Sequence, residues 1–475
     1  MRRAVALLIS FFIVACAHRT PVNRPAAPDP EALNREGLTA FHLGTPASYS
    51  RAAEAFRRAS SIRPESCDYA LNLAQALWFQ ASEQQLNFEE YTPSQKEAAE
   101  IVESSSSRCN ADYEPRLLRL RALIRGRGPA ASELINRAID LDPKDPMNWL
   151  VLGYLDPTSS HLATQEGSGR WVAMKNAVDL DPQSALFQFE YGKNVQFRPR
   201  AQNEPADAFK RAIELNPGHF RAYLNLAYAA SDGTDLEALY QKVVEISPNF
   251  LEGRIATGSY YAAVDEIEKA ATQYLAAVAA NPKYDVAEFR LGLLMLQAER
   301  PQEAEKYFRR VVELSPSSFE AHYYLGNIAS DRKDYDEALR QYGEAVSRRT
   351  NYAEAEYGIG WAYRQQGRIE AALPQFDKVI RMLPSGPNAY LARADIRVEQ
   401  MNFAGALADY QKAIEAFETQ IQGLTASIAA LETRSGSRAG AAEKRRHERE
   451  KATAELALAA VRSAKSSIEQ VVTGR

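Results

Sequence analysis

The sequence predicts an all-α fold, an α-solenoid of about ten or eleven helical hairpins that ends in one long helical hairpin. Three observations predict it. Pro248, Pro282 and Pro316 recur every 34 residues, and Pro384 falls two periods further on. Each proline follows the same residue types at fixed offsets: a small or branched residue five before it, usually an aromatic eight before it, and in most units Ala twelve before it. Beyond Pro384 no proline stops the chain, and Ile414, Phe417, Ile421, Leu424, Ile428 and Leu431 alternate by three and four, as in a coiled-coil seam.

The elements follow in order from this repeat. Second helices carry the aromatics Phe56, Phe209, Tyr240, Tyr274, Phe308, Tyr342 and Phe376. First helices carry a small residue ten after the proline, as in Gly153, Gly192, Ala227, Gly292, Gly326 and Gly360. A missing side chain lets the second helix cross closely, and the aromatic fills the space beside the crossing. Proline ends each second helix because it lacks an N–H and disfavours helix in the residue before it. Irregular spacing marks loops at 87–93, 156–160 and 231–233. The last residues, 403–475, form the long hairpin, with a turn at Ser435–Arg438 and Leu458, Val461, Ile468 and Val472 on one stripe. Two readings of that hairpin stand: a cap on the array, or a seam for a homodimer.

This pattern resembles the tetratricopeptide repeat over residues 31–418, most regularly over 218–384, and Trp149, Leu152 and Gly153 reproduce the family's opening motif. The resemblance implies a concave groove lined by first helices. Its inward positions here include Arg221, Tyr228, Glu252, Ser259, Phe289, Leu293, Tyr323, Asn327, Glu354, Tyr357, Trp361, Arg364 and Asp395. Tyr228, Phe289, Tyr323, Asn327, Tyr357, Trp361 and Arg364 are the candidate partner-binding residues, because aromatic rings dominate such interfaces. The alternative is that several of these rings pack on neighbouring helices. The family's clamp for a terminal carboxylate is not reproduced: Asn327 alone matches, and Glu252 and Glu354 repel a carboxylate.

The N-terminus reads as a targeting segment. Arg2 and Arg3 precede an apolar run, Ala4–Val14, too short to span a bilayer. Ile13-Val14-Ala15-Cys16 resembles the lipobox of bacterial lipoproteins, with Ile13 in place of the usual Leu. That resemblance implies a signal peptide over residues 1–15, lipidation of Cys16, a Pro-rich tether over 16–30, and an anchor in the envelope on the periplasmic face of the outer membrane. An ordinary secretory cleavage near Ala15 or Ala17 is the alternative.

Composition narrows the function. With 45% hydrophobic residues, 23 Tyr and 18 Phe the chain is ordered protein, and a net charge of −4 gives no footprint for nucleic acid. The six histidines show no metal-ligand spacing, Gly167-Ser168-Gly169 lacks a following Lys, and no nucleophile elbow occurs. No enzyme, cofactor or metal is expected. Cys67 opens one first helix and Cys109 lies near the end of its antiparallel partner, so a disulfide is expected there, against two free buried thiols. The run from Lys444 to Arg449 reads as a solvated helix face, or as a contact for anionic lipid. The functional expectation is a scaffold or adaptor holding a protein or peptide client at the bacterial envelope, in an envelope, secretion or pilus complex. Its rivals are an envelope enzyme such as a peptidoglycan hydrolase (or its regulator) and a structural protein that self-associates.

Overall fold

The computed structural model describes residues 28–82, 92–155, 169–196, 201, 203–229, 234–433 and 438–474. The expected signal peptide, Cys16 and most of the expected tether lie outside the described residues, as do most of the loop at 87–93 and the loops at 156–160 and 231–233. All regular structure among the described residues is helical. Contacts divide the chain into two compact units, residues 1–201 with 214–216, and residues 202–213 with 217–475.

Unit 1 contains α1 (Pro30–Phe41), α2 (Pro46–Ile62), α3 (Cys67–Ser82), α4 (Pro93–Ser106), α5 (Glu114–Arg125), α6 (Pro129–Leu141), α7 (Pro146–Leu155), α8 (Gly169–Leu180) and α9 (Ala185–Val195). The first eight pack as four antiparallel pairs. Helix starts are set locally. Asp29 accepts from the Glu31 and Ala32 amides, and Thr45–Ser48 and Thr92–Gln95 form capping boxes ahead of Pro46 and Pro93. Unit 1 closes on itself. The Leu186 amide at the start of α9 donates to the carbonyl of His42 after α1, at 3.1 Å. Gly44 beside it has φ +68°, and a Cβ there would lie 2.9 Å from Leu186 Cα, so the turn requires glycine. Cys67 and Cys109 are joined in a disulfide that ties α3 to the residues after α4.

Unit 2 takes in most of α10 (Glu204–Leu215), followed by α11 (Phe220–Ala229), α12 (Leu236–Ile246), α13 (Leu251–Ala263), α14 (Ile267–Ala280), α15 (Asp285–Gln297), α16 (Pro301–Leu314), α17 (Phe319–Asp331), α18 (Tyr335–Arg348), α19 (Ala353–Gln365), α20 (Ile369–Met382), α21 (Pro387–Glu399), α22 (Phe403–Thr433) and α23 (Arg438–Thr473). From α11 to α22 they form six hairpins, each stacked on the next. The expected close crossing is present: a Cβ added at Gly292 would fall 2.7 Å from Phe308, and at Gly326 2.6 Å from Tyr342. From α13 on, each hairpin turn uses one left-handed residue, Asp265, Glu299, Lys333, Gly367 and Met401 in successive units. Four of these are not glycine, a local cost that the repeat carries.

The last hairpin does more than cap. Tyr410 and Ala413 of α22 pack on Tyr390 and Ala394 of α21, and Phe417 meets Ala454, Leu458 and Val461 of the returning α23. The seam is therefore engaged within the chain. Of the predicted stripe on α23, Leu458 and Val461 are buried and Ile468 half-buried, but Val472 is 55% exposed, beyond the reach of α22. At the other end of α23, Ala442 is buried in the core that joins α13, α15 and α17. The long hairpin thus runs back across the repeats.

Candidate functional site: the groove of unit 2

Because successive repeats place equivalent residues in register, the inward faces of α13, α15, α17, α19 and α21 line one groove. Three hollows open along it. The first, about 540 Å³, is lined by Tyr228, Tyr240, Tyr260 and Tyr284 with Glu252, Ser259 and Arg290. Tyr228 is 62% exposed there, whereas burial, then Tyr228 and Tyr260, push the Tyr240 hydroxyl up to about 12. The second, about 250 Å³, holds Phe289, Arg290 and Glu320. The third is the largest, about 970 Å³. Tyr323, Glu354 and Tyr357 lie on one side; Phe417 of α22 and Arg446, Arg449, Glu450 and Thr453 of α23 lie on the other.

The candidate residues divide into two kinds. Tyr323 is half-buried, with Tyr324 and Tyr352 rings 5.3 and 5.2 Å away, and keeps part of its ring on the large hollow. Tyr357 sits between Phe376, at 5.7 Å, and Trp361, stacked at 6.5 Å. Burial raises its hydroxyl, and burial together with Tyr323 and Glu354 raises that of Tyr352, so both are neutral donors at pH 7. Phe289 packs on Phe308 and Tyr324 while lining its hollow. Other candidates are already engaged. Asn327 Oδ1 accepts from the Tyr342 hydroxyl at 2.8 Å. Arg364 lies 5.8 Å from the Trp361 ring and donates to Asp395 and Glu399, each at 3.3 Å. Those contacts order the groove wall and leave the rings around the hollows as its open chemistry.

Glu252, Glu320 and Glu354 make no ion pair among the described residues, although each lines a hollow. The charge run on α23 is the solvated face expected, with Arg445, Arg446, Glu448 and Arg449 exposed, and it also borders two hollows. Arg446 and Arg449 line the largest hollow, and with Arg445 they also line one of about 540 Å³ beside Ala262, Asp265 and Gln297. The cause is tertiary: α22 is long enough to carry the returning helix over the groove. His322, by contrast, is a packed helix residue whose Nδ1 lies 2.8 Å from Gln341 Oε1.

Inside unit 1 the structure holds a polar ladder that the helix pattern did not reveal. Asn72 donates to Asn34, and Arg116 donates to Asp68 and Asn72. Arg119, almost fully buried, donates to Gln75 and Asn148 and pairs with Asp145. Burial would raise the Asp145 carboxyl, but Arg119, the Met147 amide and Arg116 together hold it below the usual range. A usable signal was the pair of arginines three apart among Leu117, Leu118 and Leu120, since such residues are rarely buried without partners.

The tetratricopeptide repeat family model matches residues 255–318, 289–354 and 357–421. This stretch is a run of tetratricopeptide repeats. Among curated proteins the chain is similar to human protein O-mannosyl-transferase TMTC3, 22% identical over 257 residues, 45% of this chain and 28% of that protein. It is also similar to anaphase-promoting complex subunit 3 of Schizosaccharomyces pombe, 22% identical over 218 residues, 44% of this chain and 31% of that one. The chain therefore spans less than a third of the length of either relative. Among solved structures, the crystal structure of MamA is 23% identical, covering 35% of this chain and 96% of its own, with a TM-score of 0.33.

Proposed function

We propose that the chain is an envelope-tethered scaffold whose tetratricopeptide groove holds a protein client. Proteins of this fold act generally as interaction scaffolds. Among the described residues no group of three or more His, Cys, Asp or Glu side chains is placed to hold a metal ion. The observation that carries the reading is the large hollow, where the rings of Tyr323 and Tyr357 stand beside unpaired Glu354. A partly exposed aromatic next to a charge suits a protein anchor, because it gives area and direction together.

The tether rests on the Ala15-Cys16 motif and the proline-rich segment behind it. No helix among the described residues is long and apolar enough to cross a membrane. Acyl chains on Cys16 would supply the anchor, with the repeats acting in assembly of an envelope, secretion or pilus complex. A photocrosslinking residue at Tyr323 in intact cells tests the client. A discrete protein adduct that disappears with Tyr357→Ala is expected, and self-adducts alone would refute the scaffold. Labelling with an alkynyl fatty acid tests the anchor: Cys16→Ser is expected to abolish it, and unchanged labelling refutes lipidation at that residue.

A further inference from the structure

The groove already has an occupant. α23 enters it beside Tyr323 and Tyr357, crosses the large hollow, and ends on α13 and α15, where Ala442 is buried next to Ala262 and Ala263. The two ends of this crossing are held by packing: Phe417 against Ala454 at one, Ala442 in the repeat core at the other. Between them the charges face each other without pairing. Arg446 reaches only Glu443 and Glu450 of its own helix, at 3.7 and 3.8 Å. Arg445 and Arg449 make no ion pair among the described residues, and Glu354, which lines the large hollow with Arg446 and Arg449, makes none either. A helix whose buried contact with α13 and α15 is one alanine, and whose arginines there are exposed, is weakly held on those repeats. It is also the right kind of object for the place, with small residues on one side and arginines on the next.

We infer that α23 is an internal stand-in for the client. The groove takes a partner helix that presents small residues and arginines on one face, and that helix binds by displacing the α22–α23 hairpin from α13 and α15. The inference rests on the reading of the groove as the client site and adds the client's chemistry and its competitor. Charge complementarity favours a basic helix over an acidic one in the large hollow, since an acidic face would meet Glu354 there.

The test uses the full chain and a fluorescent synthetic peptide copying residues 438–461. Ala442→Glu removes the small contact and sets a carboxylate near Asp265, while leaving the Phe417–Leu458 packing in place. Hydrogen exchange of residues 440–450 and 259–264 is expected to rise, and peptide affinity to rise at least about tenfold, because internal competition is lifted. Adding Glu354→Lys is expected to reverse that gain, with an unchanged circular dichroism spectrum showing that the fold is intact. Exchange that does not rise shows that α23 is not seated there and overturns the proposal. Exchange that rises without tighter peptide binding also overturns it. In that case a client adduct at Tyr323 would leave the scaffold reading standing, and its absence would remove both.

Discussion

In unit 1 the first helices of successive hairpins are laced to one another: Asn34 to Asn72, Asn72 to Arg116, Gln75 to Arg119, Arg119 to Asn148. α3 is buried on nearly every face, and the turn after α1 is bonded to the start of α9. In unit 2 the same kind of helix keeps one side open, and tyrosines and unpaired glutamates line its hollows. The two units share a building block and differ in how regularly they repeat it. Strict 34-residue spacing keeps inward positions in register and makes a surface. Unit 1 departs from that register, with 39 residues from Pro143 to Pro182 and 35 from there to Pro217. In unit 1 the inward positions meet each other. Stability is therefore expected to be concentrated in unit 1 and recognition in unit 2.

The largest break in that comparison should come from the disulfide. Its sequence separation is 42 residues, so Cys67→Ser with Cys109→Ser should cost about 4 kcal/mol of unfolding free energy by loop entropy. Limited proteolysis should show the loss in unit 1, with peptides of unit 2 unaffected. Next, Arg119→Ala should cost about 3 kcal/mol by stranding Asp145, again with unit 1 melting first in a calorimetric scan. A smaller effect is expected in unit 2. Gly292→Ala drives a Cβ to within 2.7 Å of Phe308 and should cost about 2 kcal/mol by overpacking, with the midpoint shift seen in urea.

The smallest effect is a pH dependence. Burial lowers the His42 pKa, and Asp181 and Asp145 oppose that. The folded unit then binds the proton less readily than the unfolded chain. Stability should be full above the ordinary value of 6.5 and decline as pH falls from there towards the lowered folded value. His42→Gln should flatten that window in melting curves. A flat wild-type profile over the same range would mean that the His42–Ser184 contact, 3.2 Å long, does not bear on closure.

What could be read beforehand follows the same division. The aromatic, glycine and proline marks of unit 2 are local and periodic, so hairpin positions, the Gly–aromatic crossings and the long terminal helices were legible. The disulfide was legible because antiparallel pairing alone brings Cys67 and Cys109 together. Tertiary consequences were not. A helix pattern cannot tell a buried arginine from a solvated one, which hid Arg116 and Arg119. The left-handed turn residues Asp265, Glu299, Lys333 and Met401 were hidden because glycine, their usual marker, appears only at Gly367. The place of α23 was hidden because its path depends on the length of α22 beyond the last repeat, a property of the fold and not of any motif.

The central claim is that regular repeats in unit 2 leave an aromatic groove that α23 crosses in the free chain. A photocrosslinking residue at Tyr357 in the purified full chain tests it most directly. Adducts between position 357 and residues 446–457 are predicted, with those to residues 446–450 weakened by Ala442→Glu. Adducts confined to α20 and α21, with none on α23, would contradict it.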